Sequence, residues 1–529
     1  MTNRKSTKRA LLGSVMAMVL CLAMLVGATF AWFTDTASTG VNKIQAGKLD
    51  VALEMKEGDS WVSAEGKTLN WVKAAAGEQV LWEPGCTYTL PELRVVNNGN
   101  LALKYKIQIT GIQGDAKLNE VIDWTINDAA IDLTEGHLTA GQQGDAFTIK
   151  GHMKETAGND YQNLTIDGIG ITVYATQDTV EYDSFNNTYD ANAQYPAMPY
   201  VTSHEALNTN LTLADIPTNE ATGKHDPVEV ALGNTEAGDI AYSEHSSGYT
   251  GKGVMLGSTK LNSYAAAPAK AGEYTFVFKN GTINSAATGY SSIDNLKDTS
   301  VYMLVPGNSD VVFENMTFNG VVSFDIQMYT SPWSYLHSIT FKNCTFNGIV
   351  VGSCPAEKAT FDGCTFNNYT NTTYANNSNP IWWRAGTGYW GTGADESVHS
   401  LKEFTFVNNT VTSTRPVKIE RIGWNCTAGI TILDNTFDIS KQAGDSETKN
   451  MAINIGQRDN TSKFILTDDG NTISAGTASL YTAALGSGSN QYVAVSGSKV
   501  LDRNGNDKVI TAMVWKTTTG ETFEMKTID

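Results

Sequence analysis

Mapped by its apolar and polar positions, the chain falls into three regimes. Residues 10–33 are almost all apolar and follow a basic cluster of Arg4, Lys5, Lys8 and Arg9. Residues 41–190 alternate short apolar runs with turns rich in Gly, Asn and Asp. Runs such as "LDVALEM" (49–55), "LRVVNNGNLALKYKIQIT" (93–110) and "GIGITVYAT" (168–176) have the period of two that marks half-buried strands. Leu103, Tyr105, Ile107 and Ile109 would line a core, leaving Lys104, Lys106 and Gln108 wet. The intervening Asn97-Asn98-Gly99-Asn100 reads as a hairpin or bulged turn. Several such strands without a convincing helix predict a β-sandwich.

The third regime repeats. Aligned on one Thr, the octamers are "FVFKNGTI" (276–283), "VVFENMTF" (311–318), "ITFKNCTF" (339–346), "ATFDGCTF" (359–366), "FTFVNNTV" (404–411) and "ITILDNTF" (430–437). Equivalent residues lie 35, 28, 20, 45 and 26 apart. A fixed octamer with variable spacers is the signature of stacked coils with insertions at one turn. Positions one and three, such as Ile339 and Phe341, point inward, and Thr340 and Lys342 point outward. Position five is Asn280, Asn315, Asn343, Gly363, Asn408 or Asp434, residues that tolerate a left-handed bend. Position six turns inward again, so Cys344 and Cys364 share a column with Asn409 and Asn435. That column predicts an amide ladder and buried free thiols. The pattern is that of a right-handed parallel β-helix and resembles pectate-lyase-like folds. The recurring Asn-x-Thr triplets follow from the repeat and are not read as glycosylation sites.

The ends of this regime also have signals. Thr202 and Glu205 read as a capping box opening a short helix, with Leu207 and Leu211 plugging the first coil. Residues 500–515 read as a hairpin closing the other end. Asp468-Asp469 before Gly470 reads as a turn between coils.

Composition narrows the function. A chain of 529 residues exceeds one ordinary core and predicts two or three domains. Only 17% of residues are charged and 48 are Gly, which favours β-structure with many turns. A net charge of −18 argues against nucleic acid, whose phosphates would repel it. The basic cluster and apolar run assign residues 1–32 as an export signal peptide, with small residues Ala28, Thr29 and Ala31 at the cleavage region. An uncleaved anchor is the alternative, because the run can span a bilayer. Cys21 lacks the small residues that lipidation needs before it. Cys86, Cys344, Cys354, Cys364 and Cys426 then remain, too few and too scattered for a disulfide framework. No CxxC or Cys/His zinc spacing occurs, and no metal or cofactor is expected.

The segments "GATFAWFTDTASTGVNKIQAGKLDVAL" (27–53) and "EPGCTYTLPELRVVNNGNLALKYKI" (83–107) resemble the TasA/camelysin family. The matching residues are Phe30, Ala31, Phe33 and Asp35, then Ala46, Gly47, Leu49 and Asp50, then the Pro-Gly turn and the "NNG-x-LA" stretch. The resemblance implies a jelly-roll sandwich exported with a SipW-type signal peptide. It also implies matrix fibres in which one subunit's N-terminal strand completes a neighbour's sheet. Carried onto this chain, the donor strand is residues 33–46, with Phe33, Thr34, Asp35, Val41 and Ile44. Trp32 departs from the family's small residue beside the cleavage point, and a large second domain is attached.

Some camelysin relatives are labelled metalloproteases, so zinc ligands are the next question. "HEALN" (204–208) has Asn208 where HExxH needs its second histidine, and reads as a helix start. For glycoside hydrolysis, paired carboxylates are required. "RPVKIERI" (415–422) offers Arg415, Lys418, Glu420 and Arg421, with Lys418 and Glu420 on one face, but no hydrolase or lyase signature. No catalytic residue is assigned. The Gly-rich "NPIWWRAGTGYWGTG" (379–393) reads as an insertion outside the coils. Its Trp382, Trp383, Arg384, Tyr389 and Trp390 would suit sugar stacking or a protein interface, or would fold back over a coil.

The expectation is thus an all-β chain, a jelly-roll-like β-sandwich followed by a right-handed parallel β-helix. Its parts are a signal (1–32), a sandwich (33–190), a linker (191–201) and a β-helix (202–529). The expected role is a secreted cell-surface or biofilm-matrix protein, structural or adhesive, with itself as partner through strand addition. The alternative is a surface protein that binds or degrades glycans, with a glycan or cell-wall component as partner. Membrane contact would come only through an uncleaved signal.

Overall fold

The computed structural model describes residues 48–67, 69, 71–72, 80–110, 113–114, 116–131, 135–167, 170–178, 193, 195–196, 198–219, 222–240, 251–261, 269–290, 300–326, 336–353, 356–384, 401–422, 427–439, 451–457, 463–477, 479–485, 499–508, 510–514 and 524–528. The expected donor residues Phe33, Thr34, Asp35, Val41 and Ile44 lie outside the described residues, as do Tyr389 and Trp390.

The first unit is all β. Its strands are β1 (Val51–Glu57), β2 (Ser60–Ser63), β3 (Thr87–Thr89), β4 (Leu93–Asn97), β5 (Leu103–Thr110) and β6 (Gln113–Gly114). They continue as β7 (Ile122–Ile126), β8 (Ala129–Ala130), β9 (Glu135–Leu138), β10 (Ile149–Met153), β11 (Ile166–Asp167) and β12 (Gly170–Gln177). The sheets run in the orders β2-β1-β4, β3-β10-β7-β8, β11-β6 and β12-β5-β9, with every pairing antiparallel. Period-two alternation buries Leu93, Val95, Leu103, Ile107, Ile109 and Ile149 in one core.

The turn at residues 97–100 is not a hairpin. β4 pairs with β1 while β5 pairs with β12 and β9, so the turn carries the chain from one sheet to another. Buried Asn97 organises it. Its amide nitrogen donates to the Leu101 and Thr139 carbonyls at 2.8 and 3.1 Å, and its Oδ1 accepts from Gly99 N at 2.9 Å. A side chain that closes its own turn frees the flanking strands to find other partners.

The solenoid starts at Tyr200, two residues inside the stretch expected to be linker. β13 (Tyr200–Ser203) pairs in parallel with β14 (Val228–Glu236). The sandwich abuts this first coil, where Gln108 donates to the Pro199 carbonyl at 2.6 Å and Ser203 bonds Glu120. Helix α1 (His204–Thr209) follows, with Leu207 buried in the solenoid core beside Leu211. Its cap is Ser203, whose hydroxyl accepts from Ala206 N at 3.0 Å. Thr202, the expected cap, is held in the sheet opposite Val230.

Each coil has three faces, all joined in parallel to the next coil. The first face stacks 276–279 on 311–314, 339–342, 359–362, 404–407 and 430–433, in the expected register. The second stacks Thr282, Thr317, Thr345, Thr365, Thr410 and Thr436. Between them, all six residues at position five have positive φ, from 52° at Asn343 to 65° at Gly363. The third face carries strands such as Val417–Ile422 and Met451–Gln457. Among the described residues, strands lacking the full octamer add to the stack at β14, at residues 463–473 and at Lys499–Leu501.

Identical positions one coil apart place like side chains in contact. Phe278, Phe313, Phe341 and Phe361 form one inward pile with ring centroids 5.4, 5.3 and 4.7 Å apart. Phe318, Phe346 and Phe366 form a second, at 4.9 and 4.7 Å. Offset stacking adds to the burial each ring already contributes. The expected amide ladder is present and one rung longer. Asn409 Nδ2 donates to Asn435 Oδ1 at 3.0 Å, and Asn435 Nδ2 donates to Asn471 Oδ1 at 2.9 Å. The same oxygens accept the backbone N–H of the preceding coil, at 2.9 and 3.0 Å. Cys344 and Cys364 are buried free thiols, with sulfurs 3.3 and 3.4 Å from the carbonyls of Phe313 and Phe341. Burial, then the neighbouring Cys344, pushes the Cys364 thiol far up, so it stays protonated.

The closing end differs from expectation. The terminal hairpin joins Ile510–Val514 to Glu524–Ile528, later than residues 500–515. Among the described residues of 500–515, Leu501 and Asp507 form an antiparallel bridge with each other. Asp468 is no turn residue: it lies within strand Lys463–Asp469, opposite inward Ile432.

Two outcomes test this packing. Asn435→Ala should cost about 3 kcal/mol, because it orphans a buried N–H and an amide on Asn409; urea titration reads this as a lower midpoint at constant slope. His204 provides the second. Burial lowers its pKa below 6.5 despite the bond to the Met255 carbonyl. The folded state therefore prefers the neutral ring, so the stabilisation is full above 6.5 and declines as pH falls below it. His204→Gln should flatten that acid-side decline in thermal melts between pH 7 and 5.

Candidate functional site

The expected aromatic site divides between inside and outside. Ile381–Arg384 is a strand of the third face, not an insertion, and pairs in parallel with Val350, Val351, Gly352 and Ser353. Alternation then decides each residue's fate. Trp383 is 0% exposed within the solenoid core, edge-on to Phe361 at 5.7 Å. It fits because its neighbour one coil away is Gly352, where a Cβ would stand 2.4 Å from the indole. Trp383 therefore offers no ligand surface, which corrects its assignment as a binding residue. Its indole N–H, with no partner, is a cost of that burial.

Trp382 faces out. It packs with Tyr290, Val321, Ile349, Val351 and Tyr369 in an apolar cluster outside the coil. Tyr290 lies 6.1 Å from the Trp382 ring, and Lys418 Nζ lies 3.8 Å from the ring centroid. Register explains this contact, since Lys418 is opposite Trp382 on the next coil and Glu420 is opposite Arg384. A cation at that distance is attracted by the ring quadrupole, and it occupies the area a sugar would need for stacking. Asn371 holds the covering loops together. Its Oδ1 accepts from the backbone of Tyr290, Thr373 and Tyr374 at 3.0 Å each, and its Nδ2 donates to the Tyr290 carbonyl at 2.9 Å. Arg415 is buried beside them, its Nη2 donating to Asn376 Oδ1 at 3.2 Å.

A second site was not visible in the sequence. Between β1 and β12 the sandwich opens into a cavity of about 680 Å³, lined by Val51, Leu53, Leu69, Trp71, Ile171 and Val173 among others. β12 is the outer strand of its sheet, and β2 pairs with β1 only from Glu54 onward. Among the described residues, these two strand edges flank a cleft lined largely by apolar side chains. The signal was present only as β-rich runs; which edges stay open depends on sheet order, and no local pattern encodes that.

The zinc question closes on geometry. His204 Nε2 lies 2.6 Å from the Met255 carbonyl oxygen, and Asn208 Nδ2 donates to the same oxygen at 3.1 Å. Asn208 Oδ1 accepts from Gly257 N at 2.8 Å. The pair fastens α1 to the strand Gly251–Gly257. Among the described residues, no group of three or more His, Cys, Asp and Glu could hold a metal ion.

Residues 6–58 match the profile of a family described as camelysin metallo-endopeptidase. That segment contains no histidine, and the described residues do not fit a catalytic metal. No curated protein and no solved structure matches the chain. Among the described residues, no helix is long and apolar enough to cross a membrane.

The two tryptophans should separate cleanly on truncation. Trp383→Ala should lose about 3–5 kcal/mol by leaving a core cavity, whereas Trp382→Ala should lose about 1 kcal/mol of half-buried packing. Urea unfolding of the two variants measures the difference.

Proposed function

We propose that this chain is an exported cell-surface or matrix structural protein, whose sandwich assembles copies by strand addition and whose β-helix is displayed outward. The observation that carries the reading is the cleft between β1 and β12. An unpaired edge presents a row of N–H and C=O groups, and an adjoining apolar trough offers pockets for alternate side chains. The occupant is residues 33–46 of another copy. Its apolar Phe33, Val41 and Ile44 suit the trough, and it joins the sandwich directly ahead of Lys48. There the chain lies beside the 98–100 turn, with Asn100 N donating to the Lys48 carbonyl at 3.0 Å. The match of residues 6–58 to an exported-protein family supports the same reading. The covered face of Trp382 weighs against glycan stacking as the main role.

Negative-stain electron microscopy of the mature protein tests this. Filaments are expected for the intact mature chain and monomers for chains lacking 33–46 or carrying Val173→Glu, with thermal melts verifying that both variants fold. Filaments that persist without residues 33–46, or an intact chain that stays monomeric, would sink the assembly.

A further inference from the structure

The last coils contain a charged pair that reaches the inward column of the first face. Asp468 stands in an inward column that carries Phe278, Phe313, Phe341, Phe361, Phe406 and Ile432 on the preceding coils. Its side chain is 7% exposed. Lys508 arrives from beyond the next strand and is fixed by its own backbone, with N donating to the Val500 carbonyl at 2.9 Å. Its Nζ lies 2.7 Å from Asp468 Oδ2 and 2.9 Å from the Asp468 carbonyl. The other carboxylate oxygen has two donors of its own: Tyr481 Oη at 2.6 Å and Asn471 Nδ2 at 2.9 Å. Ion pairs such as Lys358–Glu403 and Lys342–Glu314, by contrast, sit on the outer face in water.

We propose that Asp468 and Lys508 form an intramolecular isopeptide bond that seals the C-terminal end of the solenoid. The arrangement holds every part that amide formation needs. The Lys508 side chain is 34% exposed, and across the 2.7 Å contact a proton passes from its ammonium to Asp468 Oδ2. The neutral amine then attacks Cγ, held against it by the fold as an intramolecular reactant. Negative charge developing on Oδ1 falls where the Tyr481 hydroxyl and the Asn471 amide already point, as in an oxyanion hole. Burial, then the Asp468 carboxylate, keeps the Tyr481 hydroxyl well above its ordinary pKa, so it remains a donor. A second proton from nitrogen goes to Oδ2, the Cγ–Oδ2 bond breaks, and water departs. Carboxylic acid and amine become amide and water, with no oxidant, nucleotide or metal.

Peptide mapping of the folded, full-length protein after denaturation tests the bond. Trypsin followed by mass spectrometry should give one branched peptide joining the Asp468 and Lys508 fragments, lighter than their sum by one water and uncut after Lys508. Lys508→Arg should abolish it. Should that variant fail to fold, wild-type chain kept in denaturant supplies the unlinked control. Tyr481→Phe retains the ion pair but removes one Oδ1 donor, and should slow branch formation after refolding by roughly tenfold or more. Recovery of separate fragments, cut after Lys508, from aged wild-type protein overturns the proposal. Linkage in Tyr481→Phe as fast as in wild type overturns the role given to the hydroxyl.

Discussion

The solenoid rests on one backbone bend repeated in register. At position five of each octamer the chain enters the left-handed region, which Asn, Asp and Gly reach at little cost. That bend turns the outward face of one strand into the approach to the next, so that positions three and six both point inward. Shift one bend by a residue and its coil would present Lys342 or Glu314 to the core in place of Phe341 or Phe313. The phenylalanine piles, the asparagine ladder and the buried thiols are all downstream of it. Gly363 shows that the requirement is for φ and not for a side chain.

How much could be read in advance follows from where information is local. The octamer was legible because bend, inward apolar positions and outward Thr recur within eight residues, and the paired register agrees with the sequence alignment at each of those coils. The third face was not legible. Its strands, among them those bearing Trp383 and Lys418, are separated from the octamers by spacers of changing length, and their alternation carries no marker residue. Hence Trp382 and Trp383 looked like one exposed pair when they lie on opposite sides of a sheet. The coil at 463–473 was missed for another reason: Asp468 occupies a position where the rule demands an apolar residue. Asn471, Tyr481 and Lys508 make that exception tolerable, and Lys508 is 40 residues away in sequence.

The sandwich was less legible than the solenoid. Its strands could be counted, yet the 97–100 turn was misread because hairpin and crossover use the same residues. What separates them is whether Asn97 closes on its own loop or leaves the ladder to do so. The same ambiguity hides the open edge at β12. An edge is a property of what does not pair, and only the assembled sheets reveal it.

The coil spacing has a consequence for how the molecule comes to be folded. Successive octamer coils lie only 20 to 45 residues apart, and α1 sits at the end of the solenoid synthesised first. Such a chain has low contact order for a β-protein, and neighbour-only contacts allow structure to spread from one end. The segment already assembled then serves as the template for the next arrival, and a chain emerging in order never needs its distant end in order to begin.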